Sequence, residues 1–264
     1  MEHKTEAKHI RRYNSYMAIY NNNHIYLRNP WVVAWWSAAF PGFGHLSLGY
    51  YLKGFMLIVW EIVINNGAGI NKAMVYSFNG RFDIAKGVLN PRWLLLYIPV
   101  YIYCIWDSYR KTADLNKHCL LAEREAAPIT LFKMNGLSLN MLDKRLPEVA
   151  LVWSLLFPGL GHLYLNKLLS GSFLFVCCIF ISYYSHLVEA CIYMINGSFG
   201  QAQAVLDPEW ICYYPSMFCF AAYESYKIAV QHNKLYEQEQ FRFLREHVQP
   251  RSYKLFESTG NEGS

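Results

Sequence analysis

The sequence predicts an all-α fold: a polytopic helical membrane protein made of two pseudo-symmetric tandem repeats. Three observations predict it. The first is an internal repeat. Phe40-Pro41-Gly42-Phe43-Gly44-His45-Leu46 returns 117 positions later as Phe157-Pro158-Gly159-Leu160-Gly161-His162-Leu163. The same offset matches Trp36-Ser37 to Trp153-Ser154, Gly54 to Gly171, Asn79-Gly80 to Asn196-Gly197, and Trp93 to Trp210. It also matches Ser108-Tyr109 to Ser225-Tyr226 and Asn116-Lys117 to Asn233-Lys234. The register holds without a gap over roughly eighty residues, roughly a third of them identical, which marks a duplicated unit.

The second observation is composition. Hydrophobic residues make up 54% of the chain and charged residues 16%, below the roughly 25% of an ordinary soluble protein. The third is segregation: charges gather at the two ends, in the middle and in one loop, and long apolar runs lie between them. Such runs read as membrane segments, and a soluble core of this size would not readily hide them. The high load of Tyr, Phe and Trp suits the water–lipid boundary, where a ring with a polar edge faces both phases.

These observations divide the chain into five parts. Residues 1–30 form a basic N-terminal tail, 31–117 the first repeat, 118–147 a charged linker, 148–234 the second repeat, and 235–264 a C-terminal tail. The tail 1–30 is polar with no apolar stretch of signal-peptide type, so no cleaved leader is expected. The first apolar segment, 31–52 and its copy 149–169, is broken in the middle by Pro41, Gly42 and Gly44, or by Pro158, Gly159 and Gly161. A straight helix there is disfavoured, and a bent span or a re-entrant helix–turn is expected. The second segment is Phe55 to Ile64, matched by Ser172 to Leu187. The polar stretches 65–91 and 188–208 follow, each read as two short amphipathic helices on the membrane surface. The third segment, Trp93 to Trp106 with Pro99 inside it and Trp210 to Tyr223 with Pro215 inside it, runs straight into a polar helix. In the linker, Ile129 to Met134 has the pattern of a short strand. The C-terminal tail opens as an amphipathic helix, with Glu237, Glu239, Arg242 and Arg245 on its polar face, and its Ser/Gly-containing tip is expected to be disordered.

Basic residues set the expected orientation. Lys plus Arg number 5 in residues 1–30, 7 in 107–148 and 6 in 224–264, against 4 in 65–92 and none in 185–209. The positive-inside rule therefore puts both tails and the linker in the cytoplasm. That demands an even number of crossings per unit: the second and third segments cross, the first dips in, and the repeats are parallel. If the first segment also crosses, there are six spans and the halves are inverted, as in many transporters. The net charge of +5 is then topology information, and no nucleic-acid module is present.

Five polar side chains fall where lipid would make them costly: His45, His162, Asp107, Glu224 and Glu61. A Pro-Gly break inside a bilayer must be shielded by protein, and the histidine beside each break offers it a hydrogen bond. His45 is expected near Asp107 and His162 near Glu224, within each unit. For Glu61 the expected partners are His45, Lys53 or Asn65. The alternative role for the histidines is a ligand, proton or metal site. No HExxH spacing, Walker loop, nucleophile elbow or dinucleotide fingerprint is present. The seven cysteines form no CxxC pair and read as apolar filler. No catalytic residue, metal site or cofactor is therefore expected.

The order of these motifs resembles the small two-transmembrane domain: an apolar run, PGxGHLxL, a glycine, a second apolar run and a helix ending Ile105-Trp106-Asp107. His162-Leu163-Tyr164-Leu165 and His45-Leu46-Ser47-Leu48-Gly49 carry its first part, and Tyr223-Glu224 matches its end loosely. The long polar stretch before the third segment departs from that domain. As a tandem duplication, the whole chain is similar to an uncharacterised multi-pass family of Gram-positive spore-forming bacteria. The resemblance implies a bacterial cytoplasmic membrane and brings no catalytic residue. The expected function is a non-enzymatic structural, scaffolding or interaction role in the lipid bilayer, with a membrane-protein partner or a second copy of the chain, and no nucleic acid. The alternative is a small transporter or channel with a path between the repeats near Glu61, His45 and His162.

Overall fold

The computed structural model describes residues 15–17, 22–24, 26–124, 132–135, 138–141 and 143–248. Its body is helical. Helix α1 (Pro30–Ala39) starts where the Asn29 side chain accepts the Trp31 N–H at 2.9 Å and Pro30 fills the first turn. It stops at Phe40, which is extended (φ −157°), because the residue before a proline is pushed out of the helical region. Gly42 then turns the chain at φ +103°, a conformation other residues rarely adopt. The short helix α2 (Phe43–Ser47) follows, and α3 (Tyr51–Ala68) ends on a left-handed Gly69. Then come α4 (Ile70–Phe78), α5 (Phe82–Val88) and α6 (Pro91–Arg124), which runs through Pro99 for 34 residues.

The second half goes through the same steps: α7 (Pro147–Leu156), α8 (Leu160–Tyr164), α9 (Leu168–Tyr184), α10 (Leu187–Ile195) and α11 (Phe199–Val205). One difference stands out. Where α6 is continuous, its counterpart breaks after α12 (Pro208–Ile211) and restarts as α13 (Tyr214–His247). Pro215 falls in the first turn of α13, where a missing N–H costs nothing. It therefore starts a helix, whereas the apolar pattern predicts a proline inside one. Two hairpins lie outside the helical body, β1 (Ser15–Met17) with β2 (Asn22–His24) and β3 (Phe132–Asn135) with β4 (Ser138–Met141). The strand expected at 129–134 thus begins at Phe132, and 129–131 lie outside the described residues, as does the C-terminal tip beyond 248.

Local contacts recur at the 117-residue offset. The Asn116 amide clamps the Arg28 backbone, accepting its N–H at 3.0 Å and donating to its carbonyl at 2.7 Å. Asn233 clamps Arg145 in the same way, at 2.9 and 2.7 Å. Gly44 lies where a Cβ would strike Ser37 and the Val33 carbonyl, and Gly161 lies against Ser154 and the Ala150 carbonyl. Each such glycine lets α2 or α8 sit tightly on the helix before it.

Aromatic packing joins the halves. Phe43 stacks on Phe220 with ring centres 4.3 Å apart, and Phe55 on Phe173 at 4.0 Å. Trp36 meets Phe220 and Tyr223, and Phe40 meets Tyr213. Ile58, Ile62, Leu174, Ile181 and Met217 fill the space between them.

Among the described residues no single helix is long and apolar enough to cross a membrane. Two bent pairs reach that length and apolarity together: α5 with α6, bent by 87°, and α9 with α10, bent by 65°.

Candidate functional site

Buried polar side chains gather in three clusters. The first surrounds His45. The Pro-Gly turn folds α2 back against α6, so the fully buried His45 faces Asp107. Its Nε2 lies 2.8 Å from Asp107 Oδ2, and Lys53 Nζ donates to the same oxygen at 2.6 Å. His45 Nδ1 is 3.8 Å from Cys104 Sγ. A neutral imidazole protonated at Nε2 satisfies both contacts, donating to the carboxylate and accepting the thiol proton. Cys, His and Asp together suggest nucleophilic chemistry, but Cys104 is fully buried, with a relative exposure of 0%, so no substrate reaches its thiol in this conformation. The cluster reads as a tie between α2, α3 and α6. Asp107→Ala is expected to cost about 2–3 kcal/mol in thermal unfolding, because it strands a buried imidazole. Lys53→Met, at a partly exposed position, is expected to cost about 1 kcal/mol or less.

The second cluster departs from the expected pattern. Among the described residues no hydrogen bond joins His162 to Glu224. Glu224 Oε1 instead accepts from Arg28 Nη1 at 3.0 Å, across 196 residues of sequence. The reason is a local substitution. Lys53, which serves Asp107, is replaced by Ser170 at the matching position. Glu224 therefore lacks the counterpart of Lys53, and the guanidinium that pairs with it comes from the N-terminal tail. Arg28 and Glu224 side chains are only 11% and 3% exposed. They line a cavity of about 300 Å³ with Tyr26, His162, Lys167 and Phe220. Lys167 sits in the turn ahead of α9, and among the described residues no hydrogen bond or ion pair satisfies its ammonium. Burial pushes it down to about 8, with Arg28 acting in the same direction and Glu224 opposing. The folded value lies below the ordinary 10.5, so carrying the charge costs stability. That cost is full below about pH 8 and fades as pH rises towards about 10.5. The stability of the wild-type chain minus that of Lys167→Met is expected to rise across this window. A difference that stays flat would show that the ammonium is not desolvated.

The third cluster holds Glu61. Of its expected partners it takes Asn65, whose Nδ2 donates to Glu61 Oε1 at 2.9 Å, and Tyr97 adds a hydroxyl at 3.2 Å. Asn65 accepts the Asn71 N–H at 3.1 Å, and Asn71 Nδ2 donates to the Glu209 carbonyl at 3.1 Å. Lys72 pairs with Glu209 at 2.8 Å, and the Tyr213 hydroxyl donates to Asn66 at 3.0 Å. The chain of bonds bridges the two halves, so Glu61 belongs to a joint between them. His45 and Lys53, its other expected partners, are committed to Asp107.

Arg28, Lys167, Cys104, Asn71 and Glu209 escape a reading of the sequence. For Arg28 a signal exists: the exchange of Lys53 for Ser170 takes from Glu224 the lysine that Asp107 has at the matching position. Among the described residues no group of three or more His, Cys, Asp and Glu is placed to hold a metal ion, and all seven cysteines are free. Compared with protein-family models, curated proteins and solved structures, the chain matches none.

Proposed function

We propose that this chain is a multi-pass protein of the bacterial cytoplasmic membrane, built from two copies of one helical unit, with a non-enzymatic structural or interaction role. One observation carries the membrane reading: beside an apolar core, the helices turn stripes of large apolar side chains outward while a set of polar side chains is buried. On α3, Leu52, Met56, Val59 and Val63 form one stripe and are each more than half exposed. Leu95, Ile98, Ile102 and Trp106 do the same on α6, and Val176 and Tyr183 on α9. Meanwhile His45, Glu61, Asn65, Asn71, Asp107, His162 and Glu224 are buried. A monomer in water rarely shows apolar patches of this extent, whereas lipid favours them.

The four-crossing arrangement rests on the distribution of loop charges. Helix α3, at 18 residues, is about 27 Å long, near the roughly 30 Å of a hydrocarbon core. The bent pairs α5–α6 and α9–α10 supply two further crossings, and the apolar stretch from α12 into α13 the fourth. Helices α1–α2 and α7–α8 form the re-entrant turns, and both termini with the linker are cytoplasmic. The parallel copies and the kinship with the two-transmembrane domain belong to this reading.

Packing favours the structural role over transport. Between the Glu61 network and the cavity at Arg28, the halves meet through Phe40, Phe43, Phe55, Phe173 and Phe220 with the aliphatic side chains around them, and a water-lined path would need polar walls along that stretch too. Two experiments test the reading. The expressed chain is expected to stay with the membrane pellet after alkaline carbonate and high-salt washes, and release into the supernatant would overturn the membrane assignment. Proteoliposomes are expected to show no proton or ion flux above empty vesicles. A flux abolished by Glu61→Gln would establish the transporter alternative.

A further inference from the structure

The cavity beside Arg28 and Lys167 is a built site with unmatched polar groups of both kinds. We infer that it binds a phosphate ester whose alcohol portion carries a hydroxyl or amine, such as a glycerol phosphate or phosphoethanolamine group. Lys167 presents an ammonium with no partner among the described residues, and Arg28 spends Nη1 on Glu224 while keeping further donors of its fork. A phosphate is a compact anion with several acceptor oxygens, suited to an Arg–Lys pair. Glu224 is 3% exposed and its Oε2 has no hydrogen-bond partner among the described residues. A bare anion would leave that oxygen unmet and be repelled by it, so the ligand needs a donor of its own. His162, 1% exposed with an unpartnered Nδ1, forms another part of the wall.

The volume, about 300 Å³, exceeds that of a phosphate and accommodates the attached alcohol. Leu46, Leu48, Phe220 and Ile228 add apolar surface to a wall that also carries hydroxyl and amide groups, and that apolar part suits a ligand continuing into acyl chains. The cavity lies at the α2–α3 corner beside the N-terminal tail, the side assigned to the cytoplasm. Two sources of the ligand are therefore open, a phospholipid headgroup or a free phosphate ester. Only the first depends on the membrane reading.

Calorimetric titration of the full-length chain in neutral detergent tests the site. Its soluble arm uses glycerol 3-phosphate and phosphoethanolamine. The lipid arm uses phosphatidylglycerol and phosphatidylethanolamine, with phosphatidylcholine as the analogue lacking a headgroup donor. Wild type is expected to bind in at least one arm, and Lys167→Met to bind about tenfold or more weakly, the loss of one charge-assisted hydrogen bond. Lys167→Arg should retain most of the affinity. Because removing an uncompensated charge relieves a cost, Lys167→Met should fold at least as well as wild type, so lost binding will not reflect lost structure. Binding in the soluble arm supports the site whatever becomes of the membrane assignment, and binding only in the lipid arm identifies the headgroup as the source. Equal binding by Lys167→Met, phosphatidylcholine binding as well as phosphatidylethanolamine, or no binding in either arm would overturn the proposal.

Discussion

Gly159→Ala is expected to destabilise the chain by about 3–5 kcal/mol, combining left-handed backbone strain with overpacking. Gly159 has φ +103°, and an added Cβ would stand 2.8 Å from the Phe175 backbone nitrogen and closer still to the Gly171 carbonyl oxygen. Neither neighbour is a side chain that can swing away. Gly42 meets the same obstacle in the first half, with the Gly54 carbonyl at 2.6 Å and the Ile58 nitrogen at 3.1 Å. Gly49 separates the two causes. It has φ +82°, and a Cβ added there would have nothing within 4 Å, so Gly49→Ala should cost only the strain, about 1–2 kcal/mol. Thermal unfolding of Gly42→Ala, Gly49→Ala and Gly159→Ala measures the difference. If Gly49→Ala and Gly159→Ala cost the same, the Gly159 turn does not approach α9 as closely as described.

Glu224→Gln is the second large effect, with an expected loss of about 3–5 kcal/mol. The substitution preserves shape but leaves Arg28 without its anion in a nearly buried place, and Lys167 then faces it across the same cavity. Removing both members of the pair should do less harm than the sum of the single changes. In an Arg28→Met, Glu224→Gln double variant the coupling is expected to recover about 1–3 kcal/mol. Strict additivity in unfolding would mean that the ion pair does not hold the tail to the second half.

The parts of the fold that are legible in the sequence are those governed by local chemistry. Pro41 forces Phe40 out of the helix and Gly42 reverses the chain, so the break in the first segment needs no knowledge of the rest of the molecule. His45 and Asp107 belong to one unit, and the order of its helices suffices to bring them together. The short helices within 65–91 and 188–208 are legible from spacing and from their Asn-Gly turns. By contrast, the Arg28–Glu224 pair depends on how one half lies on the other. That is decided by the fit of Phe43 on Phe220 and Phe55 on Phe173, and shape complementarity leaves no periodic trace. The analogy between His45–Asp107 and His162–Glu224 fails because one lysine is replaced by Ser170, a single change that reroutes the electrostatics of the second unit. The break between α12 and α13 is likewise hidden, since Pro215 within an apolar run does not reveal whether a helix bends there or begins there.

In the proposed membrane arrangement both units sit the same way up in lipid. Labelling intact cells with a membrane-impermeant maleimide tests it most directly, using a chain whose seven cysteines are replaced and single cysteines introduced at Asn79, Asn196 or Asp143, all exposed positions. Asn79→Cys and Asn196→Cys are expected to label from outside, and Asp143→Cys only after lysis. Labelling of Asn79→Cys and Asn196→Cys from opposite sides, or of neither before lysis, would contradict the account.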